Sequence, residues 1–167
     1  MTASGTRAID LVRRSGVRHR VHAYEASERH GRERDARPAY GREAAAALGI
    51  VPGRIFKTLV ANVDGRPVLA VVPVDRELDL KALADVVGGR RAEMADPGTA
   101  QRATGYVVGG ISPIGTRRVL PIVLDASASD QPSILVSAGR RGLQLELAPA
   151  DLVSLTGAIV APIGRDH

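Results

Sequence analysis

Apolar and polar positions change their period several times along this chain, and each change predicts an element. Thr6 to Ser15 holds Ile9, Leu11 and Val12 in a polar frame and meets Gly16, so a helix with a glycine stop is expected. Val17 to Tyr24 alternates, with Val17, Val21 and Ala23 on one face and Arg18, Arg20 and His22 on the other, the period of a strand. Residues 25–40 carry almost no apolar side chains and read as an arginine-rich loop. Glu43 to Leu48 is rich in alanine, the best helix former, and Gly49 closes it.

Further on, Ile55 to Asn62 and Pro67 to Pro73 flank Asp64-Gly65, two residues that tolerate positive φ, which predicts a tight hairpin. Leu78 to Val87 has the amphipathic pattern of a helix ending at Gly88-Gly89. Asp96-Pro97 supplies a capping carboxylate and a proline at the first helical position, with Gly105 at the far end. Tyr106 to Val108 and Val119 to Leu124 read as strands around a glycine-rich loop. Ser133 to Ser137 and Leu143 to Leu147 pair across Ala138 to Gly142, Pro149 to Leu155 is a last helix, and Ala158 to Ala161 a last strand. Hairpins with single helices between them predict an α/β chain of the α+β type, built on a mixed sheet rather than a doubly wound parallel one.

The chain has 167 residues, so residues 1–167 are expected to form one domain that buries its own core. Cysteine is absent, which removes disulfides, thiolate metal ligands and a cysteine nucleophile together. The longest apolar run, Val68 to Val74, is too short to cross a bilayer, and residues 1–16 lack the apolar core of a signal peptide. A cytoplasmic protein without membrane contact is expected. Its net charge of +5 is unevenly spread: residues 1–42 hold ten Arg against five acids, whereas 43–167 hold 13 cations and 13 acids. Such a localised excess fits a nucleic-acid backbone, or equally a solvated arginine-biased surface.

Two features stand out as candidate chemistry. Lys57 shares its strand face with Ile55, Leu59, Ala61 and Val63, the more apolar side. A lysine so placed escapes to water, pairs with an acid or receives an anionic ligand. The second is Gly109-Gly110-Ile111-Ser112-Pro113-Ile114-Gly115, in which glycines either bring backbone N–H groups to a ligand oxygen or simply make a tight turn. It is neither a nucleophile elbow nor a phosphate loop, since the required spacings are missing. His19 and His22 fall on opposite faces of a strand, so no shared metal site is expected, and nothing calls for a cofactor. Aromatic residues make up 2% of the chain, too few for a broad base-stacking platform.

Taken together, Ile55-Phe56-Lys57-Thr58-Leu59, Leu78-Asp79-Leu80-Lys81, Glu93-Met94-Ala95-Asp96-Pro97, Gly105-Tyr106-Val107-Val108-Gly109-Gly110-Ile111-Ser112-Pro113 and Arg141-Gly142-Leu143 resemble the YbaK family. Its members are freestanding aminoacyl-tRNA deacylases related to the editing domain of bacterial prolyl-tRNA synthetase, and the resemblance runs from about Thr6 to Arg165. It implies a central mixed, partly barrel-like sheet surrounded by helices. It also implies catalytic roles for Lys57, Gly109 and Gly110, and substrate contacts from Tyr24, Tyr40, Thr58, Ile111, Ser112, Pro113, Ser137 and Gln144. The stretch between Tyr24 and Tyr40 is longer and richer in arginine than the family pattern, and Gln144 stands where Cys-specific members often carry Asp.

The function implied is cleavage of the ester of a mischarged tRNA, with Cys-tRNA(Pro) the leading substrate and Ala-tRNA(Pro) or another small aminoacyl ester the alternative. Lys57 would hold the terminal adenosine or its phosphate, and the Gly109–Gly110 amides would receive the carbonyl oxygen as charge develops on it. The attacking group would be the substrate's own thiol, or a water polarised by the terminal ribose hydroxyl. Expected partners are aminoacyl-tRNA, tRNA(Pro) in particular, and prolyl-tRNA synthetase, but no DNA. Two other classes compete: a non-catalytic tRNA- or nucleotide-binding module, and a binder of a small anionic metabolite.

Overall fold

The computed structural model describes residues 5–26 and 40–166, with Tyr40 described through its backbone alone. Tyr40's side chain and most of the arginine-rich loop therefore lie outside the described residues. The chain runs α1 (Arg7–Ser15), β1 (His19–Ala23), α2 (Tyr40–Leu48), β2 (Phe56–Val63), β3 (Arg66–Pro73) and β4 (Glu77–Leu78). It continues with α3 (Leu80–Val86), β5 (Ala92–Met94), α4 (Pro97–Thr104), β6 (Ile122–Asp125), β7 (Ile134–Ser137) and β8 (Leu143–Leu147). The last elements are α5 (Pro149–Thr156), β9 (Ile159–Ala161) and β10 (Gly164–Arg165).

Local chemistry sets most of these boundaries. Thr6 accepts the Ile9 N–H at 3.1 Å to open α1, and Gly16, in the left-handed region at φ +77°, ends it. Asp96 accepts the Thr99 N–H at 3.2 Å just before Pro97 opens α4. Asp64 and Gly65 turn the β2–β3 hairpin at φ +49° and +83°, the two positive values a two-residue turn of this kind requires.

Five strands form a mixed sheet in the order β5-β2-β3-β6-β9, antiparallel on the β5-β2-β3 side and parallel from β3 to β9. A second, antiparallel sheet has the order β1-β8-β7, and β4 pairs with β10. The mixed sheet of the sequence reading is present, but the described strands form three separate sheets and not a partly closed barrel. Apolar side chains fill both faces of the larger sheet. Phe56, Val60, Leu69 and Val71 pack with α1, α4 and the inner face of the smaller sheet, while Ala61, Val63, Ala70 and Val72 pack with α3. A third cluster joins Ala44 and Ala45 of α2 to Ile55, Val74 and Leu135.

Two expected elements differ. Leu78 belongs to β4 and pairs with Gly164, because Asp79 accepts the Ala82 N–H at 3.0 Å and makes Leu80 the first helical residue. Tyr106 to Val108 is not a strand: the Gly110 N–H donates to the Val107 carbonyl at 2.9 Å, closing a turn with Gly109 at φ +97°. The strand that follows begins at Ile122, and Val119 is exposed.

Candidate functional site

The two sheets meet along one edge of β2, and the predicted site residues gather around that junction. Ile55 bridges Leu135 of β7 in parallel, so two residues further on in the same direction come Lys57 and Ser137. At the other end of β2 the Val60 carbonyl accepts the Ala95 N–H at 3.0 Å, next to β5. Backbone groups alternate sides with a period of two, so the N–H and C=O of Thr58 point the same way as those of Val60. Between the β7 bridge and β5, no described strand lies beside them. This stretch of sheet edge without a strand partner among the described residues, centred on Thr58, is termed the slot.

The same alternation separates the side chains of Lys57 and Thr58. Thr58 shares its face with Phe56 and Val60, in whose apolar cluster Ile111 also sits. Its Oγ1 is buried and has no hydrogen-bond partner among the described residues. Lys57 is half-buried on the opposite face, with Leu59 and Ala61. The Lys57 face does pack in an apolar cluster, but so does the opposite one, because partner layers cover both faces of β2.

On the smaller sheet, Ser137 and Gln144 are cross-strand partners, and Gln144 also lies opposite His22 of β1. Leu143 and Leu145 enter the core, which turns Gln144 to the other face together with Ser137. Gln144 is 7% exposed, and its Oε1 is the second buried oxygen without a partner among the described residues. Tyr24 follows β1 and donates its backbone N–H to the Gly142 carbonyl at 2.9 Å. Burial holds its phenol above the ordinary value of 10.0; the Glu43 carboxylate pushes the same way, while the Gly142 backbone, the Gln144 side chain and Arg141 oppose it. Tyr24 thus sits with Gln144, beside the Arg141–Glu43 ion pair of 2.8 Å.

The glycine-rich loop closes onto this group through the β7–β8 turn. A Cβ built on Gly110 would lie 2.8 Å from the Arg140 Cα and 2.9 Å from the Arg141 nitrogen, so only glycine fits against that backbone. The Gly110 N–H is already taken by the Val107 carbonyl, against its expected role as an oxyanion donor, whereas the Gly109 N–H plays no part in that turn bond. Ser112 is fully buried, and its Oγ accepts the Ile114 N–H at 3.2 Å, so it shapes the loop, as does buried Pro113. Tyr106 fixes the loop's exit by donating to the Ile114 carbonyl at 2.6 Å, and burial pushes its phenol up to about 12.

Sequence reasoning missed the polar group behind Gln144. Glu146 bonds His22 Nε2 at 2.7 Å, Ser133 Oγ at 2.6 Å and Arg54 Nη2 at 3.2 Å. The Ser133 hydroxyl above all, then His22 and Arg54, hold its carboxyl below the ordinary value against the opposing effect of burial. Nothing in the local sequence signals it, since its members come from four distant segments. Two surface cavities, of about 490 and 440 Å³, share no residue with the predicted site; one lies between α2 and Val51, the other between α5 and Gln131. Among the described residues no group of three or more His, Asp or Glu is placed to hold a metal, and no helix is long and apolar enough to cross a membrane.

Comparison with known proteins gives this arrangement its context. The sequence model of the aminoacyl-tRNA editing domain matches residues 36–155. The chain belongs to the aminoacyl-tRNA editing domain family. It is 40% identical over 97% of its length, and 94% of the relative's, to EbsC of Enterococcus faecalis, which is assigned as a Cys-tRNA(Pro)/Cys-tRNA(Cys) deacylase. It is 34% identical over 59% of its length to the proline–tRNA ligase of Moorella thermoacetica, but spans only 17% of that enzyme. Among solved structures it matches one described as a trans-editing enzyme for prolyl tRNA synthetase, with a TM-score of 0.82, 28% identity and 99% of both chains covered. The editing-domain fold therefore extends over nearly the whole chain.

Proposed function

We propose that this editing domain acts in trans as an aminoacyl-tRNA deacylase, with Cys-tRNA(Pro) as its substrate. What supports the reading, in a chain of this family, is the register that brings Lys57 level with Ser137 and pairs Ser137 with Gln144, together with the Gly110 backbone lying against the Arg140–Arg141 turn. Two buried oxygens without partners, Thr58 Oγ1 and Gln144 Oε1, are what a site leaves for its ligand to satisfy.

In this reading Lys57 holds the terminal adenosine or its phosphate, and the Gly109 amide receives the ester carbonyl oxygen. One such donor aimed at the developing charge is worth about 3–4 kcal/mol. The chain has no cysteine, and the Ser112 hydroxyl is buried in its own loop, so the attacking group comes from the substrate or from water. With a cysteinyl ester, the substrate thiol gives up its proton as its sulfur attacks its own carbonyl carbon, the charge passes to the carbonyl oxygen, and the C=O re-forms as the ribose oxygen leaves with that proton, releasing the cyclic thiolactone of cysteine. Holding the ester in the reactive geometry supplies the acceleration. Gln144 and Ser137 bound the amino-acid side, and Tyr24 flanks it. A small pocket separates esters that differ by one methylene by only about 1–3 kcal/mol, so Ala-tRNA(Pro) is cleaved more slowly but measurably. Prolyl-tRNA synthetase is the partner that would present the tRNA.

The test is deacylation of Cys-tRNA(Pro) and Ala-tRNA(Pro) by the protein and by Lys57→Ala. Cleavage that collapses in a folded variant supports the proposal. Binding of tRNA without cleavage of any small aminoacyl ester would leave a binding module instead.

A further inference from the structure

The even charge balance of residues 43–167 hides a segregation in space. A Cβ built on Gly105 would lie 3.1 Å from the Arg117 Cβ and 3.3 Å from Arg7 Nη1, and Arg7 Nη2 donates to the Thr116 carbonyl at 3.4 Å. Next to them, the Tyr106 ring packs against Gly139 and Thr6, and the Arg140 backbone lies against Gly110. Four segments, residues 5–8, 104–111, 115–119 and 138–142, thus form one surface leading to the Gly109 loop. They contain Arg7, Arg117, Arg118, Arg140 and Arg141 and not one Asp or Glu. Arg7, Arg117, Arg118 and Arg140 are exposed, and none forms an ion pair among the described residues. Val107 stands exposed among them.

We propose that this arginine surface binds the phosphate backbone of the tRNA acceptor end and leads its aminoacylated terminus to Gly109. The inference rests on the deacylase reading for the identity of its ligand. Exposed guanidinium groups without carboxylate partners offer forked donors to phosphate oxygens at little cost in broken ion pairs. The surface touches the loop through backbone, so a tRNA seated on it has its end delivered at a fixed distance from the slot. The ligand is thereby recognised by charge and shape, without reading of base edges.

The experiment pairs binding with cleavage. Equilibrium binding of uncharged tRNA(Pro) is measured against salt for the protein, for Arg7→Glu, for Arg117→Glu/Arg118→Glu, and for Arg66→Glu at the hairpin tip as a control. Cleavage is followed with full-length Cys-tRNA(Pro) and with the cysteinyl ester of adenosine, which lacks the acceptor stem. The expected result is weaker tRNA binding by about tenfold or more per charge removed. The slope of log K against log salt becomes shallower by roughly 0.7–0.9 for each phosphate that the protein no longer neutralises. KM rises for Cys-tRNA(Pro) alone, the adenosine ester is cleaved as before, and Arg66→Glu changes nothing. Retained binding and slope in the Arg7 and Arg117/Arg118 variants would overturn the surface. If the unaltered protein cleaves neither ester, while those variants still lose tRNA binding, the surface stands and the deacylase reading falls.

Discussion

Replacing Gly110 by alanine separates the architecture of the loop from its chemistry. Gly110 does not need positive φ, so the added methyl acts by volume alone. It would sit 2.8 Å from the Arg140 Cα, 2.9 Å from the Arg141 nitrogen and 3.0 Å from the Arg140 carbonyl carbon, all backbone atoms that cannot swing aside. Restoring ordinary contact requires the Gly109 loop and the β7–β8 turn to part by about half an ångström, an overpacking that costs roughly 1–3 kcal/mol. A misplacement of about 1 Å is able to cost about a hundredfold in rate, so half of it predicts a fall in single-turnover deacylation of about tenfold. Gly157→Ala is the counterpart. There a Cβ meets nothing within 4 Å, but φ is +71°, so about 1–2 kcal/mol of backbone strain is expected with no loss of rate. Urea unfolding reads the stability of both, and cleavage of Cys-tRNA(Pro) reads the rate. Full activity in a destabilised Gly110→Ala protein would refute the claim that this loop positions the ester.

Other substitutions test the site from different sides. Thr58→Val removes a buried oxygen without a partner among the described residues, so it is expected to leave stability unchanged or raise it by about 1 kcal/mol, while KM for Cys-tRNA(Pro) increases. A loss of stability would show that a protein group was using that oxygen. Asp125 accepts the Ile163, Gly164 and Ser127 N–H groups at 3.0, 2.8 and 3.2 Å, so Asp125→Ala strands three backbone donors and is expected to cost about 3 kcal/mol or more by urea titration, with the slot at Thr58 intact. Glu146, its folded pKa depressed, contributes stability that is fully present above the unfolded carboxylate value of about 4.3 and is lost as pH falls through the folded value. Glu146→Gln is therefore expected to flatten the acid limb of a plot of urea midpoint against pH; an unchanged limb would assign it to other carboxylates.

Elements governed by neighbouring residues were legible before folding. Asp96-Pro97 and Gly16 act through groups within four residues of themselves, and the positive φ of Asp64-Gly65 is a property of that turn alone, although the Asp64 carboxylate also accepts the distant Arg90 and Arg91 N–H groups. The family motifs likewise placed Lys57, Gly109 and Gln144 around one junction. Features set by distant partners were not legible. Two-residue β4 carries no periodicity, and its pairing with β10 depends on residues far down the chain. The Tyr106 to Val108 segment has strand-like side chains, yet a bond between Gly110 and Val107 turns it, a backbone event that side-chain patterns do not report. Lys57 looked anomalous because an apolar face was assumed to have only one inside; in a sheet covered on both sides, parity alone does not say which face holds a ligand.

Strand order also has a consequence during synthesis. Among the described strands β1 pairs only with β8, and Ala23 waits for Leu143, about 120 residues later in the chain. At roughly 5–20 residues per second, the ribosome leaves β1 without its partner for roughly 6–24 s. A bare strand of that kind is a template for pairing with a neighbouring nascent chain. Arg18, just before β1, and Arg20 within it are exposed, and their like charges repel a second copy in register. Basic residues at and beside β1 thus oppose association of the unfinished chain, and Tyr24 meets Gln144 only when that wait ends.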